Sequence, residues 1–299
     1  MKNRVILNLA LVVVLCVLAW FAFKRSTAPR QDDQSMLKIS SLSAAQVNRL
    51  SVLKRGRAEI RLEKQGEGWR LLQPIAGRAD RNQVERLLDV AGATSKSKIE
   101  SADLKQFELA PPLATVTLND QVFRFGATNG ITFEQYVAVA DAIFLLPTHF
   151  GASLPDDAAQ LLSRMLLNEG ETPVGFELPG LKLARDKDSG KWTASGSKAP
   201  STELSQDDLN KFVDGWRFAS ALSAAPNKAG KEQARWSIAL HDGRTIPLAL
   251  VQEHPELVLA RVDEQTEFHF TREMLQRLST LAASEKTPLG VPADSANKK

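Results

Sequence analysis

The stretch ARWSIALHDGRTIPLAL, Ala234–Leu250, alternates apolar and polar side chains on both sides of His241–Asp242–Gly243. Alternation of period two is the pattern of a half-buried strand, and Asp-Gly tolerates the positive φ of a tight turn. The stretch therefore predicts a β-hairpin. A histidine beside an aspartate also invites a catalytic or metal-binding reading. Neighbours on a strand, however, point to opposite faces, which is poor geometry for a proton relay. A second stretch weighs on the choice. LATVTLNDQVFRFG, Leu113–Gly126, alternates in the same way and carries Asn119–Asp120 where the other carries His241–Asp242. A turn accepts asparagine for histidine, so the turn reading is preferred.

The two stretches belong to a longer repeat. Trp69 closes GEGW and Trp192 closes SGKW; these two, Leu118 with Leu240, and Val137 with Val258 are separated by 121–123 residues. Before each tryptophan lies an alternating segment, AEIRLEK (Ala58–Lys64) and LKLARDK (Leu181–Lys187), which predicts the first strand of a hairpin turning at the glycine. After each comes a helix with an N-cap candidate. Asp80 leads into Val84, Leu87, Leu88 and Ala91, and Ser205 into Leu209, Phe212, Val213 and Trp216, close to the spacing that buries one helical stripe. The strands continue in YVAVADAIFLL and LVLARVDEQTEFHF, with Asp141 and Asp263 expected in turns. Each half is expected to close in a short apolar helix, Ala159–Leu167 and Arg272–Leu281. The expected fold class is α+β, with two related domains, residues 37–168 and 169–283, each an antiparallel sheet with one or two packed helices.

Ahead of this body, Val5–Phe23 is a 19-residue run interrupted only by Asn8. As a helix it spans roughly 28 Å, the thickness of a bilayer's hydrocarbon core. Trp20 and Phe21 fall near its end, where aromatic rings sit at headgroup level. A cleaved signal peptide has a shorter apolar region and a small-x-small cleavage site, whereas this run ends in WFAFKR. A lipid-acceptor role for Cys16 wants small residues before it, and Val14 and Leu15 stand there. Residues 1–25 are thus read as a single transmembrane helix with its flanks, 26–36 as a polar tether and 284–299 as a disordered tail. Lys2 and Arg4 on one flank nearly balance Lys24, Arg25 and Arg30 on the other, so the positive-inside count alone does not orient the span. A short N-terminus stays in the cytoplasm and a large body is translocated, which favours a body outside a bacterial inner membrane.

Charge excludes one function class. The chain carries 38 basic and 35 acidic residues, but Lys2, Arg4, Lys24 and Arg25 flank the apolar run and no acid precedes residue 26. The body is nearly neutral and has no large electrostatic hold on nucleic-acid phosphates. The one cysteine, Cys16, allows no intramolecular disulfide. Candidate chemistry is sparse. His149, His241, His254 and His269 lack the spacing of metal ligands, and His269 in FHF reads as an outward residue between inward phenylalanines. Ser189–Lys191 lacks the frame of a phosphate loop, and no nucleophile elbow or dinucleotide loop is present. Asp141 and Asp263 at matching places suggest a shared carboxylate pair less than they suggest turns. Trp69, Trp192, Trp216 and Trp236 suggest core packing more than a stacking platform for sugars. No catalytic residue, cofactor site or metal site is assigned.

The landmarks resemble those of an uncharacterised bacterial family, domain of unknown function 4340. The residues that carry the resemblance are GEGWRLLQP (Gly66–Pro74), Ala79–Asp80, FELAPPLATVTL (Phe107–Leu118), Phe125–Gly126, Tyr136–Val137 and Ile143–Phe144. Glu108, Leu109 and Ala110 stand around the position where the family pattern has a glycine. The likeness covers Ile39–Leu146 well and the second half weakly. It implies membrane-anchored envelope proteins, some encoded with transporter components of the gliding-motility type, and it supplies no catalytic residues. The expected function is a non-enzymatic, inner-membrane-anchored periplasmic protein that scaffolds or binds an envelope partner. The alternatives are a periplasmic binding module for a cell-wall or lipid fragment, and an enzyme with an unrecognised site.

Overall fold

The structure, a computed structural model, describes Trp20 and residues 36–100, 103–201, 204–227 and 233–281. Apart from Trp20 and Met36, the expected span, its tether and the C-terminal tail lie outside the described residues. Among the described residues, no helix is long and apolar enough to cross a membrane.

Antiparallel sheets dominate, with few helices, so the class is α+β. In chain order the first half forms β1 (Leu37–Lys38), β2 (Arg49–Lys54), β3 (Ile60–Gln65), β4 (Gly68–Gln73), β5 (Gly77–Arg78), β6 (Thr94–Ser95), β7 (Lys98–Ile99), β8 (Ala114–Leu118), β9 (Gln121–Thr128), β10 (Glu134–Val139) and β11 (Ala142–Pro147). The second half forms β12 (Pro173–Leu178), β13 (Leu181–Arg185), β14 (Trp192–Ser195), β15 (Ser223–Pro226), β16 (Ala234–Leu240), β17 (Thr245–Gln252), β18 (Leu257–Arg261) and β19 (Thr266–Phe270). β1 and β6 pair by themselves. One sheet runs β5-β4-β3-β2-β8-β9-β10-β11-β7 and the other β14-β13-β12-β16-β17-β18-β19-β15. Leave out β5 and the two orders correspond strand for strand. The alternation read in the sequence sets the inward faces: Ala114, Val116 and Leu118 of β8 are buried, as are Trp236, Ile238 and Leu240 of β16.

The two decisive stretches are both hairpins. β8 and β9 join through Asn119–Asp120, with Asn119 at φ +53°. The Asn119 amide fixes this turn by accepting from the Arg49 N–H at 3.1 Å and donating to the Gln46 carbonyl at 2.9 Å. β16 and β17 join through His241–Arg244, with Gly243 at φ +85° and the Asp242 carboxylate accepting from the Arg244 N–H at 3.0 Å. His241 lies exposed at that turn. YVAVADAIFLL is likewise two strands, β10 and β11, folded back at Ala140–Asp141.

The capped helices form as their spacing dictates. α1 (Arg81–Leu88) starts at Asp80, whose carboxylate accepts from the Gln83 N–H at 3.0 Å, and it buries Val84, Leu87 and Leu88. A four-residue helix, α2 (His149–Ala152), follows β11. α3 (Gln206–Arg217) starts at Ser205 with a capping box to Asp208 and buries Leu209, Phe212, Val213 and Trp216. α4 (Arg272–Ser279) closes the second half.

Ala159–Leu167 is not the expected helix. Only Ala158–Leu161 turns, as a 3-10 helix, and the chain then runs extended. Its backbone bonds go to other segments instead. The Asp80 N–H donates to the Leu161 carbonyl at 2.8 Å and the Ser163 N–H to the Arg78 carbonyl at 2.8 Å. Farther on, the Leu166 N–H donates to the Ala219 carbonyl at 2.9 Å and the Ala221 N–H to the Arg164 carbonyl at 2.8 Å. The segment therefore bonds to β5 and its continuation on one side and to the chain leading into β15 on the other. These partners satisfy backbone groups that would otherwise demand a helix. Buried side chains of both halves form one continuous core cluster, which includes Leu161, Leu162, Leu166 and Leu167.

Candidate functional site

The most unusual chemistry lies where this linking segment meets both sheets. Gly77 opens β5; a Cβ there would overlap the Leu162 side chain of the linking segment and reach ordinary contact with Thr266 of β19. Arg78 follows it. From the other half, β18 ends in Arg261, the β18–β19 turn supplies Asp263 and Glu264, and Glu171 stands before β12. Leu257, Leu259 and Arg261 share one face of β18, which puts a guanidinium on the inward face among apolar side chains.

The Arg261 side chain is 1% exposed. Its two terminal nitrogens donate to the two Glu171 oxygens at 2.8 and 3.0 Å, and one of them also donates to the Leu166 carbonyl at 2.9 Å. The fork is completed by Asp263, at 2.7 Å from Nη2 and 3.2 Å from Nε. Such bidentate, charge-assisted bonds are the strong kind. Arg78 donates through Nη2 to the Met165 carbonyl at 2.5 Å and lies 3.5 Å from Glu264 Oε2. That second contact is a charge contact without hydrogen-bond geometry; Arg78 Nε and Nη1 and Glu264 Oε2 are buried without a hydrogen-bond partner.

The titration directions follow. Burial opposes the charged form of Glu171, but the bonds from Arg261 and from the Asn168 N–H outweigh it and hold its carboxyl below the usual range. Burial pushes the Glu264 carboxyl up, against the pull of Arg78 and Arg261. Burial likewise lowers Arg78, whereas for Arg261 the bonds from Asp263 and Glu171 overcome burial and raise it; both guanidiniums stay charged. The cluster contains no nucleophile and no base aimed at open space. Its chemistry is that of a latch between the halves.

A second concavity, of about 340 Å³, opens on the outer face of the first sheet, lined by Arg49, Ser51, Glu59, Arg61, Glu63 and Thr117 among others. It falls at the small end of ligand clefts. Two of its charges engage each other: Arg61 donates to one Glu59 oxygen at 2.9 and 2.6 Å, and this bond holds the Glu59 carboxyl below its ordinary value.

The residues singled out in the sequence do not converge. His149 is exposed in α2, His241 is in its turn, His254 is exposed between β17 and β18, and His269 stands between Phe268 and Phe270, both buried. Among the described residues no group of His, Cys, Asp and Glu is placed to hold a metal. The Ser189 N–H closes the β13–β14 turn on the Asp186 carboxylate at 2.7 Å. Asp141 is exposed in its turn while Asp263 grips Arg261, so the two are no pair. Trp192, Trp216 and Trp236 are buried with Phe176 and Phe212, Trp216 lying 5.7 Å from Trp236 and 5.5 Å from Phe176 between ring centres; Trp69 is half-buried. The latch residues Arg78, Glu171, Arg261 and Glu264 escape a reading of the sequence. The inward parity of Arg261 is the one available signal.

The model of the family described as Domain of unknown function (DUF4340) matches residues 69–241, from β4 of the first sheet to the end of β16 in the second. The match thus spans the linking segment and includes Arg78 and Glu171 of the latch. No curated protein and no solved structure matches the chain. The chain belongs to the DUF4340 family.

Proposed function

We propose, from that membership as premise, that this chain is a non-enzymatic, single-pass protein of the bacterial inner membrane whose body docks an envelope partner in the periplasm. Val5–Phe23 is its hold on the bilayer, and the partner is a protein, with a transporter-associated complex as the leading class. The observation that carries the reading is the 19-residue apolar run ahead of a nearly neutral body. The corresponding strand orders support a twice-copied unit, residues 37–168 and 169–283, and the latch contacts of Arg78 with Glu264 and of Arg261 with the Leu166 carbonyl join the two copies. Anchoring confines such a platform to a surface, which raises its effective concentration toward partners in the same membrane.

The concavity on the first sheet favours a second reading, a binding module for a cell-wall or lipid fragment. Its walls offer the Arg61–Glu59 pair and other polar groups rather than aromatic faces, since Trp192, Trp216 and Trp236 are in the core. The test compares detergent-solubilised full-length chain with a chain lacking residues 1–25, each used to capture partners from envelope extract. The anchored form alone recovers a membrane complex under the docking reading. Identical partners for both forms reduce the tether to an address. A mature chain found free in solution, cut after the apolar run, overturns the anchored reading.

A further inference from the structure

The β9–β10 hairpin ends in Asn129–Phe133, and its tip exposes Ile131 (88%) and Phe133 (74%), the two most exposed large apolar side chains among the described residues. The tip is built rather than frayed. The Asn129 carboxamide accepts from the Ile131 and Thr132 N–H groups at 2.8 and 3.2 Å and donates to the Tyr136 hydroxyl at 2.8 Å. The Phe133 N–H donates to the Asn129 carbonyl at 2.9 Å. Phe133 sits at φ +58°, a conformation that favours glycine, yet a large exposed side chain is kept there. The matching β17–β18 connection is Glu253–His254–Pro255–Glu256, polar throughout apart from its proline. The fold does not require an apolar tip.

Read backward from Ser40, which donates to Gln121 at 2.7 Å beside the β8–β9 turn at the far end of the first sheet, the chain runs toward the tip. Leu37 of β1 pairs with Ser95, the Ser95 hydroxyl donates to the Leu145 carbonyl at 2.8 Å, and Leu145 pairs with Tyr136, whose hydroxyl bonds Asn129. Each strand step is about 4.8 Å, so β1 lies a few steps from the base of the tip. Met36 and Leu37 are themselves exposed, as are Lys38 and Lys96 beside them. From Lys24 to Ser35 the chain can stretch about 40 Å at most. A tether of that length lets the end of the body that carries Ile131 and Phe133 reach the bilayer. Apolar side chains on an exposed hairpin tip match a headgroup boundary, the ring and the aliphatic chain entering the acyl region, while the exposed Lys38 and Lys96 beside β1 are available to anionic lipid.

We propose that Ile131–Phe133 is a second bilayer contact that, together with the Val5–Phe23 anchor, holds the body at two points with the hairpin end of the first sheet against the membrane. This rests on the anchored reading above. The test reconstitutes full-length chain, with Cys16→Ser as background, in vesicles of phosphatidylethanolamine and phosphatidylglycerol at 3:1. A nitrobenzoxadiazole label is placed at Thr132→Cys, or at His254→Cys in the matching connection, and nitroxide-bearing lipids serve as quenchers. The label at 132 is expected to be quenched at least twofold more than that at 254, and Ile131→Asp with Phe133→Asp to abolish the difference. A chain that resists carbonate extraction yet shows equal quenching at both sites overturns the two-point contact and leaves the anchor standing. A chain stripped from the vesicles by carbonate overturns the anchored reading, and this inference with it.

Discussion

The two sheets share an order of eight strands, yet their connections have parted. Between the strands that start and end each meander, the first half uses Asn119–Asp120, Asn129–Phe133 and Ala140–Asp141, and the second half uses His241–Arg244, Glu253–Glu256 and Val262–Gln265. The first of each set is a turn with one job. The second is apolar and exposed in one half and charged in the other. The third is a bare turn in the first half and the source of two latch carboxylates, Asp263 and Glu264, in the second. Strand order and inward parity are held by the shared core, while connections are free to take up tasks, which is where binding chemistry gathers on a rigid scaffold. The difference locates where the halves diverge: Asp263 and Glu264 of the latch come from the second half's connection and the exposed tip from the first's.

The largest expected break of that contrast is Arg261→Met. It strands Glu171 and Asp263 without their cation, and removing one member of a buried pair costs about 3–5 kcal/mol. Urea unfolding measures it, and adding Glu171→Met should recover most of the loss. Asp141→Asn, at the matching turn of the first half, should stay within about 0.5 kcal/mol. Equal effects at 141 and 261 would erase the distinction between the two turns.

A smaller effect is expected at Gly126→Ala. The segment Leu104–Leu109 crosses the outer face of the first sheet and packs on Ala138 and Ile143, with Phe107 and Tyr136 rings 4.6 Å apart. A Cβ on Gly126 would overlap the Phe107 carbonyl and crowd Leu109. With Leu118 matched to Leu240, Ala114 matches Trp236; Ala114 pairs with Phe125 and Trp236 with Leu248, so the matching residue of the second half is Ala249, which already carries a side chain. Overpacking of this kind costs about 1–3 kcal/mol, read from the same unfolding curves. No change in stability would mean that the covering segment is loosely held.

The smallest effect is a dependence on pH. His269 lies 2.8 Å from Glu256 and 3.2 Å from Glu267; burial opposes its charge, but these bonds prevail and raise its pKa above the ordinary 6.5. The folded state then holds the proton more tightly than the unfolded state. The resulting stability is fully present below pH 6.5 and is lost as pH rises through the folded value. Thermal melting at pH 5.5 and 8.5 should show wild type losing its margin over His269→Gln at the higher pH. A constant margin would remove the carboxylate pair as the cause.

Local signals in the sequence reach far into the fold. Period-two alternation locates the β8–β9 and β16–β17 hairpins, and Asp80 and Ser205 mark the helix starts. The linking segment misleads because Leu161, Leu162, Leu166 and Leu167 bury themselves equally well as a helical stripe or as an extended run between two partners. Sheet edges decide the matter, and no local pattern announces an edge. The latch is hidden for a related reason. Arg261 finds Glu171 at 90 residues' separation, and only its inward parity betrays it. Trp192, Trp216 and Trp236 are legible as core because they fall on the buried parity of strands and helices.

The linking segment has one more consequence. Its ladder to the two sides makes each half complete the other's hydrogen bonding, so a fragment ending near residue 168 would present raw, unsatisfied edges inviting self-association. The halves should melt together in one transition, and survival of either on its own would be the exception.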